Sequence, residues 1–251
     1  NLFHEKIGMG YFYQFTRNNL QYNRGNGMFS EIGLYSGIAA TDWSWAPLWM
    51  DFDNDGLKDL FISNGIPKRM NDIDYVNFVT SGEVQQKITN NDMQGKDMSL
   101  INKFPEIKIP NKFYRNRGDL LFADEEAAVE GNSPSYSNGA VYADLDNDGD
   151  LDIVVNNIDS PAMVYENKTA DAGGGGFLTL HLQGPANNKA AIGARVILFS
   201  GEEVRTYENY PAKGFLSSMQ VPLHIGTRNT TVDSLLVVWS DRTVERISLP
   251  A

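Results

Sequence analysis

Short apolar runs separated by polar turn residues dominate this chain and predict a mainly β fold. Runs at residues 48–50 and 60–63 flank one acidic segment, and runs at 140–143 and 153–155 flank a second one. Runs of this length, bounded by Asn, Asp and Gly, are typical of strands joined by tight turns. We therefore expect each acidic segment to connect two strands.

The last third of the chain continues the same pattern with further short strands. Its apolar runs cover residues 177–182, 194–199, 204–207 and 235–239. With turn residues between them, these runs predict a small β-sandwich. Four consecutive glycines at 173–176 have the composition of a flexible linker, so we expect one domain at 1–167 and a second at 177–251.

The two acidic segments, 51–59 and 144–152, share one nine-residue pattern with Asp at positions 1, 3, 5 and 9 and Gly at position 6. Carboxylates this close would repel one another unless a divalent cation lay among them, and calcium takes oxygen ligands of this kind. The pattern predicts two Ca²⁺ sites. Their predicted ligands are the side chains of Asp51, Asp53, Asp55, Asp59, Asp144, Asp146, Asp148 and Asp152, and the position-7 carbonyls of Leu57 and Asp150.

An EF-hand is excluded, because its bidentate Glu at position 12 is replaced by Ile62 in one copy and Val155 in the other. The alternative to a metal site is an Asp-, Asn- and Gly-rich turn that holds no ion.

The duplication extends beyond the acidic segments. A shift of 93 residues superposes Asn23 on Asn116, Phe29 on Phe122 and Asn64 on Asn157. Self-similarity at a fixed period indicates a repeat architecture, and a turn, strands and a loop in each unit are typical of propeller blades.

These motifs resemble the FG-GAP and VCBS repeats of integrin α-chain propellers and of many bacterial surface proteins. The resemblance implies a partial β-propeller with blades around 20–64 and 112–167. Between them, residues 72–79 and 97–104 have apolar positions near helical spacing and predict a helical insertion at 65–111. This insertion would either lie on a binding face or cap an open edge. Two blades cannot close a ring, so we expect the chain to be part of a longer chain or complex, with blades upstream.

The C-terminal motifs, at residues 191–196, 214–218, 224–226 and 232–239, resemble the ASPIC/UnbV domain. The combination is typical of the cartilage-acidic-protein-like family, which includes large surface proteins of Bacteroidetes-type bacteria. Residues 224–227 and 239–242 depart from the family's usual turn sequences. The resemblance implies an extracellular or cell-surface location at a bacterial outer membrane.

The composition of the chain limits the classes of partner and of chemistry that we expect. The net charge of −11 and the lack of a Lys/Arg cluster argue against a nucleic-acid partner. The absence of cysteine excludes disulfides and thiol chemistry. The sequence holds no apolar stretch long enough to span a bilayer, and its first residues do not have the pattern of a signal peptide.

No catalytic pattern surrounds the three histidines, so we do not expect an enzyme. Trp45 is the one candidate ligand contact, because its counterpart in the second unit is Asn138 and the repeat itself does not require an aromatic ring there. The sequence predicts a calcium-binding surface module that engages a protein or a glycan. The alternatives are a scaffold for a polysaccharide-active enzyme and a purely structural subunit of a larger complex.

Overall fold

The computed structural model describes residues 2–13, 15–69, 76–77, 80–90, 105–228 and 230–249. Within them the chain is mainly β, as predicted. Helices α1 and α2 span Leu2–Gly8 and Gly82–Thr89, and a 3₁₀ turn spans Glu126–Ala128. The strands of the N-terminal region are β1 Gln21–Asn23, β2 Phe29–Glu31, β3 Ser44–Met50, β4 Asp59–Asn64, β5 Lys112–Asn116, β6 Phe122–Asp124, β7 Ser137–Ala143, β8 Asp152–Asn157 and β9 Met163–Tyr165. The strands of the C-terminal region are β10 Phe177–Leu180, β11 Arg195–Ser200, β12 Glu203–Glu208, β13 Leu223–Gly226, β14 Ser234–Val238 and β15 Val244–Ser248.

The strands of the N-terminal region form antiparallel sheets in simple chain order. Strands β3 to β6 make a four-stranded sheet, β7 to β9 make a three-stranded sheet, and β1 pairs with β2 alone. Each repeat unit therefore divides between sheets. In the second unit, the first hairpin, β5 and β6, belongs to the sheet of β3 and β4. The strands that flank the acidic loop of that unit, β7 and β8, belong to the next sheet.

The two larger sheets pack together through one apolar core. In β3, buried Ala46, Leu48 and Met50 alternate with exposed positions, so one face of the strand points inward. Phe61 of β4 and Val155 of β8 are fully buried in the same core. This packing fixes the ends of β3 and β7, where the acidic loops begin.

A second core holds the C-terminal region together. The four-stranded sheet β12-β11-β14-β15 and the pair β10-β13 share it. Leu198, Ile225 and Leu235 are fully buried there, and Leu178 of β10 packs against them. The C-terminal region is therefore β, and its description as a sandwich stays a prediction.

The predicted insertion at 65–111 is described only in part. Helix α2 lies inside it, with Val84 buried. The predicted segment 97–104 lies outside the described residues, and 72–79 is described only at 76–77.

The segment between the two regions differs from the flexible linker that its glycines predict. The Ala170 amide donates to the Asp150 carboxylate at 2.8 Å, and the Thr227 amide donates to the Gly176 carbonyl at 2.7 Å. Gly175 packs so closely on Asn54 that an added Cβ would lie 2.7 Å from its carbonyl oxygen. Glycine is used here for close approach between chain segments, which composition alone does not distinguish from flexibility.

Candidate metal centre

Both acidic loops join adjacent antiparallel strands, the first β3 to β4 and the second β7 to β8. Gly56 and Gly149 at position 6 have φ of 88° and 95°, in the left-handed region that glycine enters without strain. Asn54 and Asn147 at position 4 also have positive φ, 56° and 64°, which Asn tolerates better than most residues. These two turns fold the aspartate side chains toward one another.

In the first loop the structure brings together Asp51, Asp53 and Asp59, each with a carboxylate oxygen within 4.8 Å of the others. Asp55 is outside this group, and its Oδ1 accepts the Leu57 amide at 2.8 Å. Burial raises the pKa of Asp51 to about 7, and the charges of Asp55 and Asp53 act in the same direction. Burial likewise raises the pKa of Asp59 to about 8. Ionised carboxylates at this loop are costly unless a positive charge compensates them.

One such positive charge comes from the protein itself. Arg115 of β5 forms an ion pair with Asp53 Oδ2. The backbone supplies further donors, because Asp51 accepts the amides of Asp55 at 3.0 Å and Gly56 at 2.8 Å. The first loop therefore has part of its negative charge compensated by protein groups.

The second loop brings together Asp144, Asp146 and Asp148 in the same way. Among the described residues no Lys or Arg is within ion-pairing distance of these three carboxylates. Asp144 Oδ1 is buried and has no hydrogen-bond partner, although Oδ2 accepts the Gly149 amide at 3.2 Å. A buried oxygen of this kind is unfavourable without a partner, and a cation would provide one.

The position-9 aspartates hold strands together as well as bounding the loops. Asp59 accepts the amides of Phe52 at 3.1 Å and Asn116 at 2.7 Å. Asp152 does the same with the amides of Leu145 at 2.9 Å and Asn167 at 2.8 Å, and it lies outside the second carboxylate group. Asp59 thus ties its loop to β5, and Asp152 ties its loop to the segment that follows β9, a role that the ligand prediction did not include.

Of the two predicted carbonyl ligands, Leu57 is 38% exposed and Asp150 is 1% exposed. Burial raises the pKa of the Asp150 side chain to about 6, and its Oδ1 is a further buried oxygen without a hydrogen-bond partner. The roles of the two carbonyls stay predictions.

Asn54 connects the two loops to the C-terminal region, although it is not among the predicted site residues. Its Nδ2 donates to the Gly149 carbonyl at 3.0 Å, so its Oδ1 faces His224 Nε2 at 2.6 Å as an acceptor. His224 therefore carries its proton on Nε2, and burial lowers its pKa. The Arg228 amide donates to the Asn54 carbonyl at 3.0 Å. The local sequence feature that could have indicated this role is the Asn that recurs at position 4 of both loops. It does not distinguish the two copies, because Asn54 is buried and Asn147 is exposed.

Two family models match this chain. The FG-GAP-like repeat model matches residues 11–62 and 106–155, and the ASPIC and UnbV model matches residues 184–251. The chain contains FG-GAP-like repeats followed by an ASPIC/UnbV domain. No curated protein matches it. The predicted order of FG-GAP repeats followed by an ASPIC/UnbV domain is confirmed, and both acidic loops lie within the FG-GAP matches. Below, residues 11–155 are called the FG-GAP region and residues 184–251 the UnbV domain.

Trp45, the predicted ligand contact, is half-buried at the junction of the FG-GAP region and the UnbV domain. Its indole N–H donates to the Gly65 carbonyl at 2.6 Å, and its ring centroid lies 4.5 Å from that of Phe215. These contacts account for the side chain without a ligand, and a ligand role for Trp45 stays a prediction.

Proposed function

We propose that the two acidic loops bind Ca²⁺. The observation that carries the proposal is the buried Asp144 Oδ1, which lacks a hydrogen-bond donor inside a group of three carboxylates. The donors gathered there are all oxygens, which suit a hard divalent cation. Asp51, Asp53 and Asp59 would hold the ion of the first loop, and Asp144, Asp146 and Asp148 that of the second.

The chemistry that Ca²⁺ supplies is charge compensation for these carboxylates. The protein's own groups place them: β3 and β7 fix position 1, and the turns at Gly56 and Gly149 direct the later positions inward. Asp55 and Asp152, with the carbonyls of Leu57 and Asp150, complete the predicted ligand set.

We further propose that the sheets are blades of a β-propeller and that the chain acts as a calcium-stabilised binding or adhesion module. FG-GAP proteins are typically extracellular or at the cell surface, which supports a protein or glycan partner there. Among the described residues no helix is both long and apolar enough to cross a bilayer. A place in a bacterial outer-membrane assembly, and a helical insertion at 65–111 that carries binding residues, belong to the same proposal.

Isothermal calorimetry with CaCl₂ tests the metal sites. The wild type should bind two ions, with affinity near the millimolar range of extracellular modules. Asp144→Asn should remove one of them, because it weakens the second carboxylate group. The matched control is Asp159→Asn in an exposed turn at φ 55°, which should leave both ions in place. Wild-type protein that takes up no Ca²⁺ at several millimolar would contradict the proposal.

A further inference from the structure

A groove of about 330 Å³ runs between the FG-GAP region and the UnbV domain. Trp49 and Lys58 form one wall, and Tyr207, Tyr210 and Lys213 form the opposite wall. The volume lies at the lower end of the range for small-molecule sites, which suits a short ligand. Both domains must be present for the groove to exist.

Two lysines meet in this groove from the two sides. Lys58 Nζ donates to the Thr206 carbonyl at 3.4 Å and lies 5.1 Å from the centroid of the Tyr207 ring. Among the described residues neither Lys58 nor Lys213 has a carboxylate within ion-pairing distance, whereas Lys68 has one and Lys112 has two. The groove thus brings together two lysines without an ion-pair partner in the described part of the chain, and Glu208 and Asp51 line the same groove.

The electrostatics of the two ammonium groups agree with this description. The two ammonium groups are close enough to repel each other, and the charge of Glu208 attracts both. Burial lowers the pKa of Lys213. An anion placed between the two would relieve both their desolvation and their mutual repulsion.

The acidic groups that line the groove each have a partner outside the pair of lysines. Glu208 pairs with Arg195 at 3.1 Å. Asp51 also lines the groove and accepts two backbone amides of its own loop. His224 lines the groove as well and donates to Asn54. The lysines are therefore the groups left to contact a ligand.

Aromatic rings border the same space. Trp49 is 38% exposed and Tyr210 is 57% exposed, and the Trp49 ring makes an edge contact with Phe122 at 5.9 Å that holds it in place. Exposed rings beside cations favour a ligand with flat apolar faces and a negative charge. A sugar acid has both features.

We propose that this groove binds a uronic-acid-containing saccharide, with Lys58 and Lys213 contacting the carboxylate and Trp49 and Tyr210 contacting the ring. This site deepens the proposed binding function by naming the ligand class, and it does not require the Ca²⁺ proposal to hold. Binding is therefore measured both in calcium and in chelator.

The probe is a short oligogalacturonate, and its fully methyl-esterified form is the matched neutral control. Lys58→Gln and Lys213→Gln should each weaken binding of the acidic oligomer about tenfold, which corresponds to one lost charge-assisted contact. Tyr210→Ala should weaken it less. Lys87→Gln on helix α2 is the control variant and should bind as the wild type does. Thermal unfolding of every variant verifies that it is folded.

Added NaCl should weaken binding of the acidic oligomer, because part of the attraction is electrostatic. Equal binding of the esterified oligomer would overturn the role of charge, and full binding by the Lys58 and Lys213 variants would overturn the location. No binding of the acidic oligomer at all, or binding only of a sulfated saccharide, would overturn the ligand class. Loss of calcium binding in the calorimetric experiment would leave this result unaffected and refute the metal proposal alone.

Discussion

Gly226 of the UnbV domain lies directly against the first acidic loop, and we predict that Gly226→Ala disturbs both the loop and its contact with the domain. The residue is buried, and an alanine Cβ would lie 2.6 Å from both the Cα and the carbonyl carbon of Asn54 and would also overlap Asp51 Oδ2. Real Cβ contacts are not this short. Because the atoms in the way include backbone, the loop or β13 must shift.

Overpacking of this kind costs about 1–3 kcal/mol. For a chain of this size each kcal/mol lowers the melting temperature by about 2–4 °C. Displacement of Asp51 should also weaken Ca²⁺ binding at the first loop while the second loop is spared. Urea unfolding measures the loss in free energy of unfolding, and calorimetric titration with CaCl₂ measures the Ca²⁺ affinity.

Gly82→Ala at the start of helix α2 is the matched control, because its Cβ would meet nothing within 4 Å. Its free energy of unfolding should stay the same or rise slightly, since Ala favours helix over Gly. If Gly226→Ala has the same free energy of unfolding and the same Ca²⁺ affinity as the wild type, the UnbV domain does not pack against the loop in solution. That result would refute the prediction.

Two further predictions concern the same loops. A chelator such as EGTA should lower the melting temperature of the wild type, because an ion that binds the folded state stabilises it by mass action. Asp146→Ala should reduce the size of that shift, and an unchanged melting temperature in chelator would count against structural ions. Asn54→Gly should lower the free energy of unfolding by about 1–3 kcal/mol in urea titrations, because it leaves buried partners unbonded. Asn147→Gly, at the equivalent but exposed position, should be nearly neutral, and equal losses in the two variants would point to the backbone rather than to the side-chain contacts.

Local pattern was sufficient for the strands and for the loops. The run at 48–50 lies in β3, and the repeated aspartate spacing placed six carboxylates in two groups. Both features depend on residues a few positions apart, whose geometry the backbone period determines. The mainly β class followed from the same short-range information.

The contacts that give the loops their surroundings could not be predicted, because they join residues far apart in sequence. His224 and Asn54 are separated by 170 positions, and no periodicity relates them. Asn167 was missed for a different reason. It repeats the turn of Asn23 and Asn116, in which the side chain accepts the amide two residues later at 2.9–3.1 Å, but its spacing from the loop differs from that of the other copy.

The two repeat units therefore differ in the length of the connection between the second and third strands of the sheet, although the strand pairing is the same. Asp59 bonds to Asn116 across 57 positions, whereas Asp152 bonds to Asn167 across 15. The strand pairing beside each bond is the same, with Leu60 opposite Tyr114 and Ile153 opposite Tyr165. Closing the longer excursion costs only about 1 kcal/mol more in chain entropy. The crossing from the second to the third strand is therefore a permissive position for acquiring new segments, and an engineer could graft a foreign peptide there without redesigning the sheet.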